Sequence, residues 1–450
     1  MPIHSITRLL QNEKMKSSHS QKGAESKCTQ AQNQTRSEAL TSELELTDDS
    51  LEEVYPEGGT AAYLVVFGSF CAIMGGLGLM NSIGIYQSWI STHQLHNIDE
   101  GQLAWIFGLF NFMVFFCGIQ IGPIFDVHGP TWLMVTSAVL YIAVFVSIGF
   151  CEEYWHFLVV IGLLAGSATS IIFVVPVATV GQYFQVKRGA ATGLAMAGGS
   201  VGGVMFPLMF DSLSEKIGFA WTTRSMGLIT LVLLMVGCLL VRPRKSFRDT
   251  LPLNRSILPD FHVLLQHNVF LMTIGVFFIE WGFFIGLEYV ASYSLANGIG
   301  KRLSFLMIVF LNAGSVPGRW LPGLIADKFG RMNTMIATNL LCVIAILAIW
   351  LPANGNAAAV ITFCVVFGFA SGSNISLVPV CVGEYCSTQD YGRYYSTVYT
   401  VVSLGALTGV PIAGAILERS HGSYFGLIVF SGVSYVAGTA CFVGLGVLYR

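Results

Sequence analysis

Charge is what this chain has least of. Only 11% of its 450 residues are Asp, Glu, Lys or Arg, whereas about a quarter of an ordinary soluble protein is charged. The deficit deepens along the chain. The first 57 residues carry ten of the 25 acidic and six of the 23 basic side chains, which leaves 32 charges for the other 393 residues. A soluble globule cannot cover itself so thinly, so the chain is expected to sit in a lipid bilayer. A formal net charge of −2 supplies no basic surface for a nucleic acid. The ten cysteines are scattered without the spacing of a disulfide framework. Cys381 and Cys386 lack the further ligands a zinc site needs. The nine histidines fall in the tail, in loops or at helix ends, so neither a metal nor a cofactor is expected, and no enzyme. No phosphate-binding loop of the Walker type occurs, which excludes a primary pump.

What is present is apolar: 54% of residues are hydrophobic, with 49 glycines and 14 prolines spread among them. The runs are too long and too uninterrupted for barrel strands, which alternate over about ten residues. Residues 1–60 read as a disordered cytosolic tail, because a segment so poor in apolar side chains cannot offset the entropy of ordering. Twelve apolar stretches long enough to span a bilayer follow, at about 61–88, 102–125, 131–150, 156–183, 190–210, 222–241, 268–295, 303–325, 333–351, 357–383, 394–417 and 424–449. The expected fold is an all-α integral membrane protein with twelve transmembrane helices in two pseudo-symmetric six-helix halves. The first half is 61–241, a cytosolic linker runs over 242–267, and the second half is 268–450. With the tail inside, ten basic residues fall in or beside inner connections and five in or beside outer ones, which places both termini in the cytosol. The plasma membrane is the expected location.

The two halves repeat each other. Gly122, Asp126 and Gly129 recur as Gly323, Asp327 and Gly330, and Val-Pro-Val at 175–177 recurs at 378–380. Arg188 recurs as Arg393 and Pro207 as Pro411, all at offsets between 201 and 205. Duplicated halves are how alternating-access carriers are built, with a solute site between them near the midplane.

The segment Gly323-Leu-Ile-Ala-Asp327-Lys-Phe-Gly330-Arg331 resembles the inner-loop signature of the major facilitator superfamily. The first copy, Gly122-Pro-Ile-Phe-Asp126-Val-His-Gly129-Pro130, lacks the basic residues. Within that superfamily the chain resembles the fungal branch of the monocarboxylate porter family. Tyr183-Phe184, Lys187-Arg188, Ala191, Gly193, Ala195, Ala197-Gly198 and Gly202 follow its pattern into the fifth helix, and Asn312, Ser315, Gly318 and Arg319 its eighth. Glu57-Gly58-Gly59 resembles its acidic entry to the first helix. The resemblance implies a secondary active transporter of a small organic solute, monocarboxylate-like or otherwise polar. An efflux carrier for a fungal secondary metabolite is the alternative, and a non-transporting solute receptor a more distant one. Partners are then the solute, a proton as candidate co-substrate, and the bilayer.

Four residues are candidates for solute binding. Arg319 is a charge inside a span, which is costly unless it faces a partner or a cavity, and a guanidinium holds a carboxylate through two parallel hydrogen bonds. Glu280, mid-span in the seventh helix, is the candidate proton carrier or partner of Arg319. Asn81 and Asn312 are amides in apolar helices, able to donate and accept without a charge, and the resemblance ranks them above Asn111 and Asn374. Proton-linked members of the family carry a Lys and an Asp where this chain has Asn81 and Ser315. Gating is expected of Asp126, Asp327, Arg331, Lys187 and Arg188, with Asp327 near a helix N-terminus and Arg331 as its basic neighbour.

Overall fold

A computed structural model describes residues 55–98, 100–244 and 260–448. The tail up to residue 54 and most of the 242–267 linker lie outside the described residues. Every long element is helical. In chain order these are α1 (Thr60–Thr92), α2 (Gln102–His128), α3 (Pro130–Ile148), α4 (Tyr154–Gly181), α5 and α6 (the arms 188–217 and 219–240 of one run), α7 (His267–Ala296), α8 (Lys301–Phe329), α9 (Arg331–Trp350), α10 (Ala357–Val382), α11 (Tyr391–Arg419) and α12 (Phe425–Leu448).

Gly218 divides α5 from α6. Its φ of 77° and ψ of 166° are non-helical, a conformation glycine adopts without a Cβ penalty, so the chain reverses there. Ten of the runs are apolar and long enough to cross a bilayer, with the α5–α6 run counted once. The remaining long helix, α8, is 29 residues with Arg319 and two prolines inside it. Leu228, Val232, Met235 and Leu239 of α6 recur at helical spacing and all stand exposed. In water such a stripe is a liability; against lipid it is the expected outer face. The chain is a multi-pass membrane protein.

Two helices are interrupted. In α1 the α-helical hydrogen bonding stops at Met80 and resumes at Ile83, and Ser82 Oγ donates to Gly78 O at 2.6 Å across the break. In α2 the break falls at Cys117. The first break falls on Asn81 and Ser82 and the second on Cys117, and no Pro or Gly at those positions marks either in the sequence.

The main joins between the N-terminal six helices and the C-terminal six are α5 on α8 and α2 on α11, with smaller contacts of α10 on the α5–α6 run and of α11 on α4. Both main contacts are closest at one end of the bundle. A Cβ on Gly122 of α2 would run into the Gly392 carbonyl of α11, and a Cβ on Gly323 of α8 into the Gly189 carbonyl of α5. Only glycine lets these backbones approach so closely.

Candidate functional site

Between α1, α2 and α4 on one side and α7, α8 and α10 on the other lies a small closed cavity of about 10 Å³, room for about one water molecule. Its polar walls are Asn81, Glu280 and Arg319; Phe115, Phe173 and Phe283 supply the aromatic ones, and aliphatic side chains of α1 and α10 close the rest.

Arg319 is 2% exposed. One turn behind it, Ser315 accepts from its Nε at 3.3 Å, and the Met196 carbonyl of α5 accepts from Nη1 at 2.7 Å. Ser200 of α5 donates to the same Ser315 hydroxyl at 3.0 Å, so the arginine is oriented from both sides of the cavity. A guanidinium carries five donors, and these bonds use two. Asn81 stands at the break in α1 and donates to the Gly199 carbonyl at 3.0 Å. Glu280 is 4% exposed and faces the cavity with Arg319, without a direct ion pair between them among the described residues.

Three of the four binding candidates therefore meet. Asn312 is one layer away: it donates to its own helix at Ile308 O, and its Oδ1 lies against Gly203 of α5, which also touches the Cβ side of Asn81. Glu288, two turns beyond Glu280, accepts from Asn111 of α2 at 3.1 Å. That bond ties α2 to α7.

The gating candidates gather at the end of the bundle where the glycines approach. Asp327 Oδ1 and Oδ2 accept from the Gly189 and Ala190 N–H groups at the start of α5, both at 2.8 Å. Asp126 repeats this at the start of α11, accepting from Gly392 N–H at 2.9 Å and Arg393 N–H at 2.8 Å. Each carboxylate thus satisfies two orphan donors of a helix in the other six-helix set, where the helix dipole also favours negative charge. Arg331 is not the hydrogen-bonding partner of Asp327. Its Nη2 donates to the Gln185 carbonyl at 2.7 Å and its Nε faces Glu384 at 3.5 Å, because Asp327 is already occupied by backbone. Burial pushes the Glu384 carboxyl above the usual carboxylate range, opposed by Arg331 and Arg188. Arg188 is buried with its guanidinium 4.3 Å from the Tyr391 ring centre, in a slot where Gly181 and Gly383 leave room for it.

The Lys187 side chain is exposed, and its backbone N–H donates to Glu57 Oε2 at 3.1 Å. Glu57 also accepts from Gln185 and Val186 N–H, both at 2.6 Å, so one carboxylate holds three successive amides of the α4–α5 turn. Its own φ is 49°, a strained value for a residue with a Cβ. Sequence reading had only the Glu-Gly-Gly string to point to Glu57, and nothing to show which loop it would hold.

Comparison with known proteins agrees with this architecture. The family model described as Major Facilitator Superfamily matches residues 65–410 and 323–450. The chain belongs to the major facilitator superfamily. A riboflavin transporter of Saccharomyces cerevisiae is 33% identical, over 88% of this chain and 80% of that protein. A superfamily transporter of Aspergillus flavus is 32% identical over 86% of both chains, and a fujikurins efflux protein of Gibberella fujikuroi is 32% identical over 88% of this chain and 85% of that one. Among solved structures, the human organic anion transporter MFSD10 superposes with a TM-score of 0.63 at 16% identity, covering 85% of this chain and 98% of that one. The superfamily transporter FucP, solved in its outward conformation, gives 0.66 at 14% identity with the same coverage. The superfamily protein described here is a transporter of small solutes and not an enzyme.

Proposed function

We propose that this transporter is monocarboxylate porter-like and moves a small organic anion by alternating access, with Arg319 holding the anionic group. The observation that carries the reading is the Arg319 guanidinium, buried in the cavity wall, oriented by Ser315 and Met196, and with donors left over. A buried cation with unspent donors is stabilised by an anion more than by any neutral ligand. Glu280 across the cavity is the candidate proton carrier: protonated, it lets the anion sit beside it; ionised, it repels the anion and pairs with Arg319. Asn81 and Asn312 supply neutral hydrogen bonds.

The two aspartate caps, with Arg331, Arg188 and the Lys187 backbone, form one gate. With residues 61–241 and 268–450 as the moving halves and both termini in the cytosol, this gate lies on the cytosolic side and is shut, at the plasma membrane. Epitope tags at both ends that stay inaccessible in intact cells would support that orientation.

The test is reconstitution in proteoliposomes with a panel of radiolabelled carboxylates. Arg319→Ala is expected to abolish uptake of every anionic cargo, and Glu280→Gln to keep exchange while flattening its response to a pH gradient. Normal flux in Arg319→Ala sinks the reading, and binding without flux in the parent protein makes it a receptor. Export of a secondary metabolite is the second reading, favoured by the efflux relative from Gibberella fujikuroi; flux against the inward direction in oriented vesicles decides it.

A further inference from the structure

The aromatic side of the cavity is thicker than its lining. Phe115 of α2 stacks on Tyr399 of α11, with ring centres 5.2 Å apart and planes 24° from parallel. Phe173 of α4 stacks on Tyr395 of α11 at 5.6 Å and 23°, and meets Tyr399 edge-on at 4.8 Å. Phe115 and Phe173 are themselves edge to face at 5.2 Å, and Phe284 of α7 closes on Phe115 at 6.2 Å. All these rings are buried. Each stacked pair takes one ring from α2 or α4 and the other from α11, so the stacks lie across the seam between the two six-helix sets.

A cluster built only to fill space would use phenylalanine at every place. This one carries two phenols whose hydroxyls, apart from an approach to each other, have no hydrogen-bond partner among the described residues. A buried hydroxyl left without a partner loses stability relative to the same ring without it. The Phe115 and Phe173 rings that stack on these tyrosines also line the cavity that holds Arg319. Stacked faces on one side, two phenol hydroxyls that meet only each other beside them and a cation in the same cavity's wall describe the complement of a flat ring bearing polar atoms and one acidic group.

We propose that the cargo is a planar conjugated organic anion, whose ring slides between the α2/α4 rings and the α11 tyrosines while its acidic group reaches Arg319. This deepens the anion-carrier reading and rests on it. When the seam opens, the Phe115–Tyr399 and Phe173–Tyr395 faces part and leave a slot with aromatic walls. A flat ring restores both stacking contacts, which a saturated ring of the same volume cannot do, since it has no π face.

The experiment compares 2-naphthoate with its saturated counterpart, decahydro-2-naphthoate, at equal charge and similar volume. Equilibrium binding to the purified full-length protein in nanodiscs is measured at up to millimolar ligand. From the worth of stacked pairs, naphthoate is expected to bind about fivefold more tightly or better. Phe173→Leu keeps an apolar side chain and removes the π face; it should bring the two acids within about twofold of each other, mainly by weakening naphthoate. Retained binding of the saturated acid shows that the variant is folded. Tyr399→Phe, which keeps the ring, should preserve the preference. Equal binding of the two acids by the parent protein overturns the proposal, as does binding of neither, or an equal loss of both in Phe173→Leu. Arg319→Ala separates the two levels of the claim. If it still binds both acids normally, the anion reading fails; if it binds neither while the parent protein shows no ring preference, only the aromatic slot fails.

Discussion

Asp126 and Asp327 occupy equivalent places in the two repeats and make the same bonds, yet they sit in different surroundings. Each accepts from two successive N–H groups at the start of a helix from the opposite six, at 2.8 to 2.9 Å. Asp126 is 2% exposed, whereas Asp327 is only half-buried. The Asp327 side carries additional ties, because Arg331 reaches Gln185 and Glu384, and Glu57 holds the three amides that lead into the same helix. In the first copy, Val127 and Pro130 stand where the second has the basic Lys328 and Arg331. The shared element is the carboxylate cap, and the basic residues of the signature are reinforcement. The second repeat surrounds a wetter cap with ties from Arg331 and Glu57; the first holds its cap in a drier site.

The strongest way to break the comparison is to remove both caps. Asp126→Ala with Asp327→Ala is expected to abolish transport, since the Gly189, Ala190, Gly392 and Arg393 N–H groups then lose their carboxylate acceptors, and solute exchange in vesicles reads it directly. Of the single variants, Asp126→Ala should slow exchange the more, by about tenfold or greater, because its N–H groups are left unpaired in a dry site where each such loss costs about 1–3 kcal/mol. Asp327→Ala should cost several-fold less, as the Asp327 site itself is only half-buried and Arg331 and Glu57 remain. Equal losses in the two would show that burial is not what distinguishes them. Arg331→Ala should have a smaller effect still, near the ~0–1 kcal/mol of an exposed ion pair plus one hydrogen bond. Removing residues 1–50, which leaves Glu57 in place, is expected to change exchange per folded molecule hardly at all; a large loss there would assign the tail a mechanical part.

The repeat was legible in the sequence because it is written in residue types with no substitute. Glycines permit a backbone approach, an aspartate caps, a proline interrupts, and an arginine stays charged. The membrane class and the helix boundaries followed from hydropathy for the same reason, and Arg319 was conspicuous as a charge inside a span. The partners of these residues were less legible, because partnership across a bundle leaves no periodic signal. Nothing in the spacing of Asn111 and Glu288, 177 residues apart, announces their bond. Arg331 read as the basic neighbour of Asp327 and does act on that carboxylate electrostatically, but the hydrogen bonds of Asp327 go to amides 137 and 138 residues earlier. Lys187 read as a gating residue, and the bond it makes to Glu57 comes from its backbone N–H. The break in α1 falls on Asn81 and Ser82, and two polar residues in an apolar run are equally compatible with an unbroken helix.

Whether the two caps act as one gate is read by amide hydrogen exchange at the capped groups themselves, without a known cargo. In nanodisc-embedded protein, peptides covering Gly189–Ala190 and Gly392–Arg393 are followed in the parent, Asp126→Ala and Asp327→Ala forms. Each substitution is expected to raise exchange at both helix starts, with the larger change for Asp126→Ala, because releasing one cap lets the two six-helix sets part as bodies. Deprotection confined to the helix whose own cap was removed would contradict it, since the two aspartates would then be independent helix caps and not a shared gate.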